Sequence, residues 1–241
     1  MNKKKIIYII SIILFIIIIL LVIMFVFNKN SNKQLDVNIE RNDNVTNPIN
    51  YSDVINNMRE EYNNNDIKGV LEIENTDYKV PILQGSDNDY YLNHDAYGNS
   101  NYMGSIYLDY RVDIDSSRKL LIYGHNSSRV DMPFKILEEY YDKKYYDEHK
   151  YVDIITETTK KRYEIFSVYV EPTDYSYMNI NFNSDEEYLE HLNKLKNKSM
   201  YNTGIDISKD DEILIFQTCS THKDYQNYSK KYLLVISKRV K

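Results

Sequence analysis

The chain has 241 residues, with 30 lysines and arginines against 36 aspartates and glutamates, a formal net charge of -6, five histidines and one cysteine. So mild an acidity, with no clustered basic run, argues against a nucleic-acid binder, which must neutralise phosphates. A single thiol excludes an internal disulfide framework, and the length suits one domain with a proper core rather than two.

Lys3, Lys4 and Lys5 precede an apolar run from Ile6 to Phe27, relieved in polarity only by Tyr8 and Ser11. That run is long enough to span a bilayer. A cleaved signal peptide has a shorter apolar core and a small-residue cleavage site, whereas Asn28-Lys-Asn-Ser-Asn follows directly here. The expectation is an uncleaved single-pass anchor in residues 1–27, with its lysines cytoplasmic and the rest of the chain extracytoplasmic. Residues 28–50 are polar, charged in both signs and aperiodic, which predicts a flexible linker. From Tyr51 to Asn63, Val54, Ile55, Met58 and Tyr62 recur at helical spacing and predict an amphipathic helix lying against a sheet.

Eight runs rich in Ile, Val, Leu and Tyr then read as strands: Gly69–Ile73, Tyr78–Leu83, Ser105–Tyr110, Lys119–Tyr123, Tyr151–Ile155, Arg162–Val170, Glu212–Thr218 and Tyr232–Ser237. A mainly β domain follows, closed as a barrel or a sandwich. Two helices interrupt the series. Asp131-Met-Pro133 reads as an N-cap and early proline opening Phe134–Tyr141. Ser184-Asp-Glu-Glu187 has capping-box spacing and opens a helix over Asp185–Lys198, with Tyr188, Leu189, Leu192 and Leu195 as its apolar stripe.

Cys219 ends the apolar run that begins at Glu212. Alone, it reads as a small buried hydrophobe. His125, delivered into a polar loop by the run Lys119-Leu-Leu-Ile-Tyr-Gly, changes that reading, because an imidazole beside a thiol makes a nucleophile. His149 and His191 fall in polar, helical stretches and read as solvated, and His94 reads as a loop hydrogen bonder. His222, three residues from Cys219, is the competitor for His125. His125 is preferred because catalytic groups usually come from different elements held by a scaffold.

Four segments together resemble the class B sortases, membrane-anchored cysteine transpeptidases of Gram-positive bacterial surfaces. They are Val80-Pro-Ile-Leu-Gln-Gly-Ser-Asp-Asn-Asp-Tyr-Tyr-Leu-Asn-His94, Gly104-Ser-Ile-Tyr-Leu-Asp-Tyr110, Ile122-Tyr-Gly-His125-Asn and Gln217-Thr-Cys219. The resemblance covers residues 51–241 and implies an eight-stranded sortase-type β-barrel with an N-terminal helical extension and a long helix before the penultimate strand. It implies His125 and Cys219 as catalytic residues, with Lys231 standing where the family has an arginine. Arg239 is eight residues beyond Lys231, roughly 26 Å along a strand, at the wrong end of a barrel. Lys231 also reads as an ordinary strand-edge lysine.

The resemblance further implies a groove walled by Leu92, Thr173, Tyr177, Met178 and Gln217, although Tyr177 and Met178 read equally as loop-to-barrel packing. It implies cleavage of a C-terminal sorting signal of secreted proteins after threonine, a thioester on Cys219, and transfer to peptidoglycan or another amine acceptor. No cofactor, metal or nucleic acid enters that chemistry; the membrane enters only through the N-terminal anchor. Two alternatives stay open. One is a cysteine peptidase hydrolysing the same thioester, and the other is a degenerate, non-catalytic surface binding module marked by the lysine substitution.

Overall fold

Residues 49–240 are described in a computed structural model of the chain. Helix α1 (Tyr51–Tyr62) buries Ile55 and Met58, and Asn63 ends it in the left-handed region at φ 49°. Arg59 ties it to the sheet, donating from Nε to the Ile67 carbonyl at 2.9 Å and pairing with Glu157.

The eight strands are β1 (Ile67–Ile73), β2 (Lys79–Leu83), β3 (Tyr107–Leu108), β4 (Lys119–Tyr123), β5 (Tyr151–Ile155), β6 (Lys160–Glu171), β7 (Ile213–Cys219) and β8 (Tyr232–Arg239). They close into a barrel in the order β1-β2-β3-β4-β7-β8-β6-β5, with β1 and β5 pairing to seal it. Most pairs are antiparallel, but β4 and β7 run parallel from Lys119 opposite Ile213 to Tyr123 opposite Gln217. Every residue of β4 is buried, as are Ile213 to Phe216 in β7. Such continuous apolar runs are what a strand covered on both faces requires. Leu71, Ile82, Leu120, Ile122, Ile154, Leu214, Phe216 and Val235 belong to the core, which Phe134, Leu137 and Tyr140 extend from the β4–β5 connection.

All eight expected strands form, β4 and β5 with the expected ends and the other six with shifted ones. The largest shift is at β3, where six residues were expected and two pair. The Asp109 carboxylate accepts from the Arg111 amide at 3.0 Å and grips its guanidinium at 2.8 and 2.7 Å, turning the chain out of the sheet. The helix expected at Phe134–Tyr141 is a 3-10 helix over Lys135–Tyr141 that starts at Phe134 without a side-chain cap, so Asp131 is no N-cap. A short helix α2 (Lys143–Glu148) follows, capped by Asp142, which accepts from the Lys144 amide at 2.8 Å.

Helix α3 (Asp185–Asn197) starts as the capping box predicts on one side only. Ser184 Oγ accepts from the Glu187 amide at 3.2 Å, while the Glu187 carboxylate reaches back to Asn183, accepting from its amide at 2.7 Å. Its buried face is Tyr188, His191, Leu192 and Leu195, with Leu189 only half-buried. His191 is thus not a solvated residue, a correction whose cause is the helical period: 188, 191, 192 and 195 share one face.

Among the described residues no helix is long and apolar enough to cross a membrane. The longest, α3, has 13 residues, against about 20 apolar ones for a bilayer span. The single-pass localisation expected from the sequence is corrected on that finding. The run at 6–27 that prompted it, and residues 28–48 of the linker expected over 28–50, lie outside the described residues.

Candidate active site

Because β4 and β7 are parallel, their C-terminal ends reach the same rim of the barrel. The pairing continues past the last strand residues: the Gly124 amide donates to the Gln217 carbonyl at 3.2 Å, and Thr218 Oγ1 donates to the Gly124 carbonyl at 2.8 Å. Asn126 Nδ2 then donates to the Cys219 carbonyl at 2.9 Å. These bonds hold the His125 loop on the end of β7. Residue 124 has to be glycine, since a Cβ there would come within 2.7 Å of the Phe134 ring.

His125 is fixed from outside by the 3-10 turn Tyr90–Leu92. Its Nε2 lies 2.9 Å from the Leu92 carbonyl. A carbonyl only accepts, so Nε2 carries the proton and Nδ1 is the nitrogen free to take or give one. The turn comes close because Gly104, at φ +60°, lets the backbone pass beneath it; a Cβ at 104 would be 2.6 Å from the Leu92 oxygen.

Cys219 closes β7 with an exposed side chain, paired across the ladder with Tyr232 of β8. Tyr232 in turn pairs with Glu171 at the end of β6. The thiol still gives up hydration among these rim groups, which pushes its pKa above the ordinary value, while the charge of Lys231 pulls it back down. Lys231 is one residue ahead of β8. Its carbonyl accepts from the Ser220 amide at 3.0 Å, and its Nζ donates to the Tyr228 carbonyl at 3.2 Å. Arg239 is engaged at the other end of the barrel, pairing with Glu212 at 3.0 Å.

His222 is occupied elsewhere. Its Nδ1 accepts from the Asp224 amide at 3.3 Å, and its ring packs edge-on against Tyr141 at 4.8 Å and Tyr225 at 5.7 Å. His94 stacks on Tyr90 at 4.0 Å, and His149 on Tyr145 at 4.1 Å. Of the five histidines, His125 is the one tied to the β4–β7 rim.

The expected groove residues divide. Gln217 sits one pair below the rim, and its Oε1 accepts from the Tyr177 hydroxyl at 2.8 Å. Leu92 contributes the carbonyl on His125. Tyr177 is buried, and Met178 is half-buried with its carbonyl bound by Arg111 Nη2 at 3.2 Å. Thr173 is exposed, two residues past the end of β6, with its amide on Glu171 at 3.0 Å. Nothing ties Thr173 to Cys219 directly.

Three residues of the site escaped sequence reasoning. Asn126 follows His125 in a quoted motif, so adjacency alone could have marked it. Asp109, fully buried and accepting from Tyr123 at 2.7 Å, and Lys119, also buried, carried no periodic signal. Among the described residues no group of three or more His, Cys, Asp or Glu side chains could hold a metal ion.

A family model described as the Sortase domain matches residues 71–240. Sortase B of Listeria monocytogenes is 36% identical over 164 residues, covering 68% of this chain and 66% of that protein. Sortase B of Staphylococcus aureus is 30% identical over 179 residues, covering 74% and 72%. A solved Staphylococcus aureus sortase B–substrate complex superposes with a TM-score of 0.69 at 28% identity, covering 78% of this chain and 84% of that one.

Proposed function

From a chain that belongs to the sortase family, and within it to class B, a family of cysteine transpeptidases, we propose an enzyme that transfers the acyl part of a sorting signal from a secreted protein to an amine. The observation that carries this reading is the joined rim of β4 and β7, which sets the His125 loop on the Cys219 backbone with the charge of Lys231 acting on the thiol. In this reading Leu92, through its carbonyl on His125, and the Tyr177–Gln217 pair belong to a groove beside it together with Met178, and the Staphylococcus aureus relative, solved with its substrate, supports a peptide occupant. Residues 51–241 form the catalytic domain in this reading.

In the first half-reaction the Cys219 thiolate attacks the carbonyl carbon of threonine in the signal. A sulfur–carbon bond forms, and the carbonyl oxygen becomes an oxyanion beside Lys231. As the oxyanion collapses the carbon–nitrogen bond breaks, and imidazolium His125 gives its Nδ1 proton to the departing amine, leaving a thioester. In the second half, neutral His125 takes a proton from the incoming amine, whose nitrogen attacks the thioester. The sulfur–carbon bond breaks, the thiolate returns and a new amide leaves. The Leu92 carbonyl keeps Nε2 protonated throughout, so proton traffic is confined to the other ring nitrogen.

The direct test incubates the protein with peptides carrying candidate sorting signals, with and without a short glycine-based amine. Cleavage after threonine, a thioester mass on Cys219 and a dominant amide product when amine is present are expected. Hydrolysis alone, even with amine in excess, would assign a peptidase instead, and neither cleavage nor adduct would reject the enzyme.

Lys231 has its own test. A lysine keeps the cation of the family's arginine but not its planar fork of donors. Lys231→Ala is expected to lower turnover about 10²–10³-fold, the usual cost of an oxyanion donor, and Lys231→Arg to retain much of it. Removing the charge also removes what pulls the thiol pKa down. The pH midpoint for iodoacetamide alkylation of Cys219 should therefore rise, and alkylation at pH 7 should slow, in Lys231→Ala. Equal behaviour of the three proteins would leave Lys231 as a strand-edge residue.

A further inference from the structure

Lys119 opens β4 as a buried ammonium that has no carboxylate partner among the described residues. Its three protons are each spoken for: Nζ donates to the Tyr177 carbonyl at 2.7 Å, to the Asn179 carbonyl at 2.6 Å and to His191 Nε2 at 2.8 Å. The Phe182 ring lies 5.5 Å from the same nitrogen. Desolvation draws the Lys119 pKa down to about 7 and the His191 pKa down to about 3. A neutral His191 accepting through Nε2 fits both. The carbonyl between the two, that of Met178, is taken by Arg111 Nη2 at 3.2 Å, whose other bonds run to buried Asp109.

Three consecutive carbonyls, 177 to 179, are thus gripped by two cations from other parts of the chain. Burying an ammonium is costly, and an apolar side chain of similar length would fill the space without that cost. What the ammonium adds is direction: it fixes the backbone of one short segment beside His191 of α3. That segment is the 3-10 turn Tyr175–Met178, and its far side presents the Tyr177 hydroxyl to Gln217, two residues before Cys219. Asp174 capping the Ser176 amide at 3.0 Å secures the start of the turn.

We infer that Lys119 and Arg111 are positioning residues for substrate recognition: they hold residues 175–179 as a wall of the peptide groove that is complete before the sorting signal arrives. This rests on the reading of Tyr177 and Gln217 as groove residues. A preformed wall spares the peptide the entropic cost of ordering a loop, so the grip acts on binding and not on the chemical step.

The test compares wild type, Lys119→Met, Arg111→Gln and Arg111→Lys. Three readouts are used: KM and kcat for a cleaved sorting-signal peptide, iodoacetamide alkylation of Cys219, and hydrogen exchange of the backbone amides at 176–180. In Lys119→Met, KM is expected to rise about tenfold or more, with kcat and alkylation within about threefold and exchange at 176–180 markedly faster than in β4, β7 and β8. Arg111→Gln, on a partly exposed side chain, should raise KM several-fold, with partial recovery in Arg111→Lys. It keeps the question answerable if Lys119→Met does not fold.

An unchanged KM with faster exchange would show that the segment loosens without affecting recognition, which overturns the positioning role. Unchanged KM and unchanged exchange would overturn the grip itself. In either variant, a fall in kcat and alkylation matching the loss in kcat/KM would assign a general structural role. A wild type that does not cleave the peptide overturns the groove assignment and this inference with it, whereas a cleaving wild type whose variants match it overturns this inference alone.

Discussion

Replacing Cys219 by alanine is expected to abolish peptide cleavage and transfer, at least about 10⁴-fold, because the chain has no other thiol to form the thioester. The change removes one sulfur from an exposed side chain. The bonds that hold the rim together, from Asn126 to the Cys219 carbonyl and from Ser220 to the Lys231 carbonyl, involve backbone atoms that alanine keeps. The variant should therefore melt within a few degrees of wild type and still bind the peptide. Mass spectrometry after mixing with substrate should find a thioester adduct on wild type and none on the variant. Activity surviving within tenfold would mean that the thiol is a bystander, and a biological role unaffected by the change would point to a binding module.

His125→Gln is expected to cost about 10³–10⁴-fold, the upper range for a group that must serve as both acid and base. Glutamine is the informative choice because its amide can still donate to the Leu92 carbonyl, as His125 Nε2 does. The neighbouring turn is then retained while proton transfer is lost. Both halves of the reaction should slow, since one needs a proton delivered and the other needs one removed. A loss below tenfold would transfer the role to another base. His222 would be the next to test, although its Nδ1 is already committed to the Asp224 amide.

The apolar runs that became β4 and β7 could be read directly, and so could the two chemical groups at their ends. Their parallel adjacency could not, because a run of buried residues carries no mark of its neighbour; it emerges only in the folded sheet. His191 was misread for a local reason. Glu190, Asn193 and Lys194 lie within three residues of it in sequence and look solvated, yet at helical period it falls between Tyr188 and Leu195 on the packed face. Lys119 was illegible for the opposite reason, since a lysine opening a strand usually means a solvated end. Here its acceptors come from residues about 60 and 72 positions further along, a separation that no local pattern reveals. The shortness of β3 likewise depended on where the Asp109 carboxylate would turn.

The strand order carries a consequence for how the molecule comes into being. In sequence β7 and β8 follow all the others, but in the sheet they lie between β4 and β6. Until the final hairpin inserts there, β4 and β6 each expose an unpaired edge to their surroundings. Such long-range pairing is the slow, late part of assembly. The seating of the His125 loop on the Cys219 backbone depends on that insertion, so under the proposed function the catalytic pair would be assembled only once the last hairpin has docked. A nascent or half-folded chain would carry an inert thiol, and chemical competence would itself report that the last strands have docked.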